Sequence, residues 1–147
     1  MKTIAQILEG KGHEIITIRP GDSVLVALEV LAAYNIGALP VVENGKLVGI
    51  FSERDYARKV ALKGLTSAVT EVHEIMTSQV LCANRKHSVM ECMALMTEKH
   101  IRHLPVMDQD QLVGMLSIGD LVKTIIEDQQ FQIQQLESYI NPALALH

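Results

Sequence analysis

The feature that most constrains this chain is an internal repeat with an offset of 65 residues. Residues 36–55 read IGALPVVENGKLVGIFSERD, and residues 101–120 read IRHLPVMDQDQLVGMLSIGD. The same offset relates Pro40 to Pro105. A repeat of this kind means that one supersecondary unit is built more than once, and a solenoid would need at least about three copies. The sequence therefore predicts a paired unit.

Composition narrows the classes of function. An apolar fraction of 48% over 147 residues is sufficient for a folded core. A net charge of −4 and only 3% aromatic residues argue against a nucleic-acid partner. No apolar run approaches the roughly 18 residues of a membrane span, and the N-terminus is too short and polar for a signal peptide. We therefore expect a cytoplasmic protein with neither a membrane nor a nucleic-acid partner.

Hydrophobic periodicity and turn signals predict the same order in both halves: strand, helix, strand, hairpin turn, strand, helix. Asn44-Gly45 predicts a type I′ hairpin turn, and Gln109-Asp110 is a weaker turn signal. The predicted helices cover 1–9, 24–34, 52–62, 72–76, 88–99 and 117 onwards, and the predicted strands cover 14–18, 39–43, 46–51, 80–83, 104–108 and 111–116.

The helix starts carry capping signals, and the last helix carries an apolar stripe. Ser52 with Asp55 and Ser88 with Glu91 have the spacing of a capping box, and Ser117 with Asp120 repeats it. In the last helix, Pro142 is expected to end the helix and leave a frayed tail. The stripe favours docking on the helix's own domain, with self-association as the alternative. Its members are Val122, Ile125, Ile133, Leu136 and Ile140, with Gln129 interrupting.

The order of elements, the Leu-Pro-Val strands and the pattern Gly-h-h-Ser-x-x-Asp at 49–55 and 114–120, where h is an apolar residue, together resemble the cystathionine β-synthase (CBS) domain. Two such domains in tandem resemble a Bateman module, and the likeness covers about residues 3–128. It implies an α/β (α+β) fold with two βαββα repeats about a pseudo-twofold axis, packed sheets, outer helices and two clefts. The implied division is 1–65 for the first repeat, 66–128 for the second and 129–147 for a C-terminal extension.

The resemblance also implies a function. Modules of this family bind adenosine-containing ligands such as AMP, ADP, ATP, NAD or S-adenosylmethionine, and regulate an attached or partner protein. No catalytic domain is left over in this sequence, so we expect a stand-alone, homodimeric, non-enzymatic module that acts on an unidentified partner. AMP, ATP or NAD is the expected ligand, and no catalytic cofactor is expected.

The chemistry of a nucleotide suggests which residues would bind it. A ribose diol needs a carboxylate, for which Asp55 and Asp120 are candidates, although sequence alone equally allows simple helix caps. A phosphate needs N–H groups and basic side chains, which the family places at Arg54, Arg102 and His103. The full expected set is Ile16, Thr17, Ala38, Leu39, Pro40, Ser52, Arg54, Asp55, Arg102, His103, Leu104, Pro105, Ser117, Ile118 and Asp120.

The two copies differ at candidate positions, which predicts two unequal clefts. Thr17 corresponds to Cys82, which lacks the hydroxyl. The sequence leaves open which of the two predicted strands lies in the same cleft as Asp55 and which lies with Asp120. Arg102 and His103 are adjacent on a strand, so they are expected to face opposite sides. The remaining differences at the 65-residue offset are Arg54 against Gly119, and Gly37 and Ala38 against Arg102 and His103.

Other chemistry is weakly indicated. Cys82 and Cys92 lack a zinc or CxxC spacing and are expected to be reduced, buried thiols. His100-x-x-His103 is a poor metal motif, because a helix should end at the first histidine and a strand begin at the second. No nucleophile-elbow motif is present. The alternatives kept open are an interaction scaffold with degenerate clefts and, more weakly, a small nucleotide-acting enzyme.

Overall fold

The computed structural model describes residues 1–140, which form two similar halves that mix helices with small sheets. The prediction of a mixed α+β fold is confirmed, whereas Pro142 and the predicted tail lie outside the described residues. The helices are α1 (Ile4–Lys11), α2 (Val24–Tyr34), α3 (Glu53–Tyr56), α4 (Val72–Ile75), α5 (Val89–Lys99) and α6 (Ile118–Ile140). The strands are β1 (Ala38–Glu43), β2 (Lys46–Ser52), β3 (Ala83–Asn84), β4 (His103–Asp108) and β5 (Gln111–Ser117).

Each half is built on a β-hairpin, as the repeat predicts. β1 pairs antiparallel with β2, and β4 pairs antiparallel with β5 in the same register 65 residues later, with an irregularity at the same point. Asn44 and Gly45 have φ values of 52° and 77°, which confirms the predicted turn. Gln109 and Asp110 take the same left-handed backbone at 49° and 64°, without glycine. β2 and β5 contact each other, so the two sheets meet there.

The predicted strand over 14–18 is wrong in extent, because only Ile18 pairs with the sheet. The Ile18 N–H donates to the Pro40 carbonyl at 3.1 Å, and its carbonyl accepts from Val42 at 2.9 Å. In this parallel register the next carbonyl, that of Ile16, would need a donor from Pro40, which has no N–H. Pro40 therefore ends the pairing after a single bridge.

The same physical reason shortens the strand predicted over 80–83. β3 pairs with β4 in parallel, with Ala83 opposite Val106. The carbonyl of Leu81 would need the missing N–H of Pro105, so Leu81 and the residues before it do not join the ladder. The strand predicted over 80–83 therefore survives only at Ala83, which β3 shares with Asn84.

The predicted helix over 52–62 is present with a change of geometry. Ser52 caps the start of α3 and forms the predicted capping box with Asp55, and residues Ala57–Ala61 then continue as a π-helix. The Leu62 N–H donates to the Ala57 carbonyl, five residues back, at 3.0 Å. π-helical turns of this kind are commonly found at functional sites.

Two short helices are exchanged between the halves. Ile4 and Ile7 of α1, near the start of the chain, are buried in the core of the second half. Val72 and Ile75 of α4, which follow the connector, are buried in the core of the first half. The packed cores therefore cross the first boundary of the expected division, between residues 65 and 66.

The prediction that the apolar stripe of the last helix docks on its own domain is wrong for the C-terminal part of that stripe. Ile125 packs against the core of the second half. In contrast, Ile133, Leu136 and Ile140 are exposed by 54%, 62% and 80%. At 23 residues, about 35 Å, α6 extends beyond the core that its first turns cover.

Candidate functional site

A cleft of about 1270 Å³ lies between the two halves. It is bounded by the start of α3 from the first half and by the end of α5 and the start of β4 from the second half. We call it the Asp55 cleft. The structure brings seven of the expected ligand-binding residues to its wall: Ala38, Ser52, Arg54, Asp55, Arg102, His103 and Ile118.

The other expected residues do not line the Asp55 cleft. Four of them, in the Leu-Pro pairs of β1 and β4, are buried, so their side chains belong to the sheets and their cores. Thr17 is exposed and Ile16 half-buried in the extended segment before Ile18. The expected residues that lie outside the wall of the cleft are Ile16, Thr17, Leu39, Pro40, Leu104, Pro105, Ser117 and Asp120.

Asp55 lies at the first turn of α3 with its carboxylate almost fully buried. Its Oδ2 accepts from the Ser52 N–H and the Ser52 hydroxyl, both at 3.0 Å. Its Oδ1 accepts from the Thr77 hydroxyl at 3.3 Å and lies 3.0 Å from the Lys59 ammonium. The group is both a helix cap and a cleft residue, so the two readings left open by the sequence are compatible. Both oxygens of the Asp55 carboxylate thus have protein partners in this structure.

The Asp55 cleft gathers positive charge in a chain whose net charge is −4. Five Lys or Arg side chains line it against two carboxylates, Glu53 and Asp55. The cations are Arg54, Arg58, Lys59, Lys99 and Arg102. Such a concentration of cations on low-dielectric walls raises the local concentration of anionic ligands.

Arg54 connects the two halves across the cleft. Its Nη1 donates to the carbonyl of His100 at 2.7 Å. His100 is the left-handed C-cap residue that ends α5, as the sequence predicted. Arg54 therefore neutralises part of the negative end of the α5 dipole and ties α3 to the opposite repeat.

Part of the cleft wall is apolar, and here the structure adds residues outside the expected set. Val80 and Leu81 line the cleft from the second half, and Leu81 is 40% exposed. The repeat offered a signal for them, because Leu81 lies 65 residues after the expected Ile16. The segment that lines the cleft together with Asp55 is therefore that of the second repeat, and Ile16 and Thr17 of the first repeat do not line it.

Asp120 repeats the cap of Asp55 but has a different partner. Its Oδ2 accepts from the Ser117 N–H at 2.8 Å and lies 2.7 Å from the ammonium of Lys11, which also donates to the Met115 carbonyl at 2.8 Å. Burial alone raises the pKa of Asp120, but the bonds from Lys11 and Ser117 outweigh it and hold this pKa below its usual range. No local pattern pointed to Lys11, because it lies 109 residues before Asp120 in the chain.

His103 borders the Asp55 cleft, and so does its neighbour Arg102. A Cβ placed on Gly37 would lie 3.2 Å from the His103 ring, so the absent side chain at Gly37 gives the ring its space. Burial lowers the pKa of His103, as do the charges of Lys11 and Arg102, while Asp120 raises it in part. The imidazole is therefore held toward its neutral form.

The cysteines and histidines form no further centre in the described part of the chain. Cys82 is half-buried and Cys92 is buried, and neither is in a disulfide. Burial raises the pKa of both thiols. Among residues 1–140 no three His, Cys, Asp or Glu side chains are arranged to hold a metal ion, and no helix is long and apolar enough to span a membrane.

Comparison with known proteins agrees with this architecture. The family model described as "CBS domain" matches residues 12–62 and 72–127. The chain is 35% identical to the mitochondrial CBS domain-containing protein CBSX3 of Arabidopsis thaliana, covering 94% of this chain and 71% of that protein.

Solved structures extend the likeness. A protein with CBS domains from Burkholderia ambifaria is 49% identical with a TM-score of 0.83, covering 87% of this chain and 96% of that one. A CBS domain pair crystallised with 5′-methylthioadenosine and S-adenosyl-L-methionine is 26% identical with a TM-score of 0.73, covering 87% and 98%.

Two repeats with matched registers and two matches to one family model lead to the same assignment. CBS domain pairs are regulatory modules, and one relative binds adenosine-containing molecules. The chain belongs to the CBS domain family and carries two CBS repeats in tandem.

Proposed function

We propose that this protein binds a phosphate-bearing adenine nucleotide in the Asp55 cleft and signals its occupancy to a partner protein. The observation that carries the proposal is the set of five Lys and Arg side chains beside Asp55 in an acidic chain. A merely structural cleft has no need of this charge excess, since like charges at close range repel one another.

Each part of the cleft matches one part of a nucleotide. The apolar wall with Val80 and Leu81 suits an adenine ring, and Asp55 suits a ribose diol. Arg54 and Arg102 approach from opposite repeats and suit the phosphates. With five cations on the wall of the cleft, affinity should rise with phosphate number, in the order AMP, ADP, ATP. NAD, with two phosphates, is the further candidate.

Arg54 supplies a route for the signal. Its bond to the His100 carbonyl joins the two repeats, and a phosphate at Arg54 would compete for the same guanidinium. Binding would then alter the angle between the repeats. That shift can be no larger than the difference in the ligand's affinity for the two arrangements. The regulated protein would read the angle, with the module acting as a homodimer rather than as an enzyme.

The first experiment identifies the ligand and ranks the nucleotides. The purified chain is denatured and any released small molecule is identified by mass spectrometry. Calorimetric titration of stripped protein with AMP, ADP, ATP, NAD and S-adenosylmethionine then gives each Kd. We expect ATP to bind at least about tenfold more tightly than AMP, equivalent to about 1.4 kcal/mol. Equal Kd values for AMP and ATP would contradict the role given to the cations.

Two variants with a matched control locate the site. Arg102→Gln should weaken ATP more than AMP, because it removes a cation from the wall of the cleft. Arg85→Gln is the control, since Arg85 is exposed outside the cleft, 4.0 Å from Asp108. Asp55→Ala should weaken all adenosine ligands alike. Unchanged affinity in Asp55→Ala would refute the ribose assignment.

A second candidate, a homodimeric interaction scaffold with degenerate clefts, has its own support. Both oxygens of Asp55 already have protein partners, and Asp120 is paired with Lys11. Thermal shifts discriminate the two, because a ligand at 100 times its Kd should add about 2.7 kcal/mol to the stability of the folded state. No shift with any nucleotide would favour the scaffold. Loss of ATP or NAD in a turnover assay would instead favour a small enzyme.

A further inference from the structure

Six positions of α6 form one exposed stripe with the spacing of a coiled-coil seam. Their intervals alternate between four and three residues, and their exposure is lowest at 41% for Val122 among the five apolar members. Isoleucines occupy the three a positions of this heptad pattern. We call the set the α6 stripe: Val122, Ile126, Gln129, Ile133, Leu136 and Ile140.

The α6 stripe is distinct from the face that packs on the core. Leu121 and Thr124 are buried, and at about 100° per residue the centre of the stripe lies about 130° around the helix from them. The nearby carboxylates are engaged with the start of the chain: Glu127 lies 3.5 Å from the Lys2 ammonium, and Asp128 lies 3.2 Å from the N-terminal amine. The stripe itself contains no charged residue.

We propose that the α6 stripe packs against the same stripe of a second copy of this chain, with the two helices antiparallel. This alignment places Val122 opposite Ile140 and Ile126 opposite Leu136, each pair being formed twice. The two Gln129 amides then lie in adjacent layers, about 6 Å apart along the axis, where they can bond each other. The inference does not depend on nucleotide binding.

Charge complementarity selects a second copy in this orientation. In the antiparallel alignment Lys123 lies beside Glu137 of the other copy, and Ile125 lies beside Tyr139. Tyr139 is 89% exposed in the single chain, so this contact would cover it. A parallel alignment would bring Lys123 near no acidic side chain of the described helix. The antiparallel pairing thus forms favourable contacts beside the apolar seam as well as within it.

Sedimentation equilibrium on the full chain tests the surface. The wild type should have twice the chain mass of 16.2 kDa. Leu136→Glu should raise the dimer dissociation constant at least about tenfold, by placing a charge in the seam. Phe131→Glu is the matched control, because Phe131 is exposed to a similar degree, 59% against 62%, on a different face of the same helix. Circular dichroism checks that both variants keep their helix content.

The outcomes separate this inference from dimerisation in general. A monomeric wild type, or a Leu136→Glu variant that dimerises as well as Phe131→Glu, overturns it. In the second case a homodimer would still exist, formed through another surface. Loss of the dimer in Leu136→Glu alone supports the α6 stripe.

Cysteine cross-linking tests the orientation. An Ile126→Cys/Leu136→Cys double variant should form disulfide-linked dimers with diamide, because the two positions face each other. Leu136→Cys alone should not exceed the wild-type background from Cys82 and Cys92. In the antiparallel pair its two copies lie ten residues, about 15 Å, apart along the axis, beyond the reach of a disulfide. Cross-linking of the single variant, or none in the double variant, overturns the antiparallel arrangement.

Discussion

Replacing Lys11 by methionine should destabilise the protein through Asp120. The ammonium lies 2.7 Å from the Asp120 carboxylate and donates to the Met115 carbonyl at 2.8 Å, while methionine keeps most of the apolar stem. The two side chains are 40% and 22% exposed, so the pair is neither a free surface pair nor a buried one. Surface pairs contribute about 0.2–1 kcal/mol, and hydrogen bonds to charged groups about 1.5–3 kcal/mol. We expect a loss of about 1–2 kcal/mol at neutral pH.

Urea unfolding at two pH values measures this loss. The pKa of Asp120 is lowered in the folded state, so its contribution is present above the ordinary carboxyl value of about 3.9 and is lost as the pH falls through the folded value. The difference between Lys11→Met and wild type should therefore be full at about pH 6. It should shrink strongly at about pH 2.5.

Lys2→Met provides the control for the charge change itself. Lys2 lies 3.5 Å from Glu127, and both side chains are well exposed, at 58% and 43%. This variant should lose no more than about 0.5 kcal/mol. If Lys11→Met costs no more than Lys2→Met, or costs the same at both pH values, the assigned ion pair does not stabilise the fold.

Three further predictions concern other parts of the fold. Gly49→Ala should cost about 1–3 kcal/mol in urea unfolding, because an added Cβ would lie 2.5 Å from the Met76 sulfur and 3.0 Å from the Thr77 carbonyl; an unchanged midpoint would contradict this packing. The pKa of His103 is lowered in the folded state, so the folded protein is most stable above the ordinary imidazole pKa of about 6.5 and loses stability as the pH falls below that value. His103→Gln should therefore flatten the dependence of the free energy of unfolding on pH between about pH 7.5 and 5.5. Ser88→Ala should cost about 1 kcal/mol in thermal or urea unfolding by removing the cap of α5, and Ser88→Thr should retain most of it.

The repeat unit was predictable from sequence because its determinants are local. Asn44-Gly45 specifies its turn through positive φ values, and Ser52 and Ser88 specify helix starts through bonds that reach only three residues. The strands predicted over 14–18 and 80–83 are too long because their hydrogen bonding depends on neighbours that are distant in the chain. Pro40 shortens the strand before it by withholding a donor, an effect that depends on the parallel register.

In the candidate site too, some features follow from local sequence and others depend on residues that are distant in the chain. The repeat alone pointed to Asp55 and Asp120 as equivalent carboxylates at helix starts, because their spacing from Ser52 and Ser117 is local. The differences between the repeats predict unequal clefts, but only the folded chain shows which partners each carboxylate has. It brings Lys11 to Asp120 across 109 positions and brings residues of the second repeat to the cleft of Asp55.

The sequence by itself determined the fold family, the two hairpins and the caps, because each follows from residue types within a few positions of one another. The tertiary structure alone decided which helices exchange between the halves, which extended segment faces which carboxylate, and where five cations meet. These depend on packing between segments far apart in the chain, and no local pattern encodes that packing.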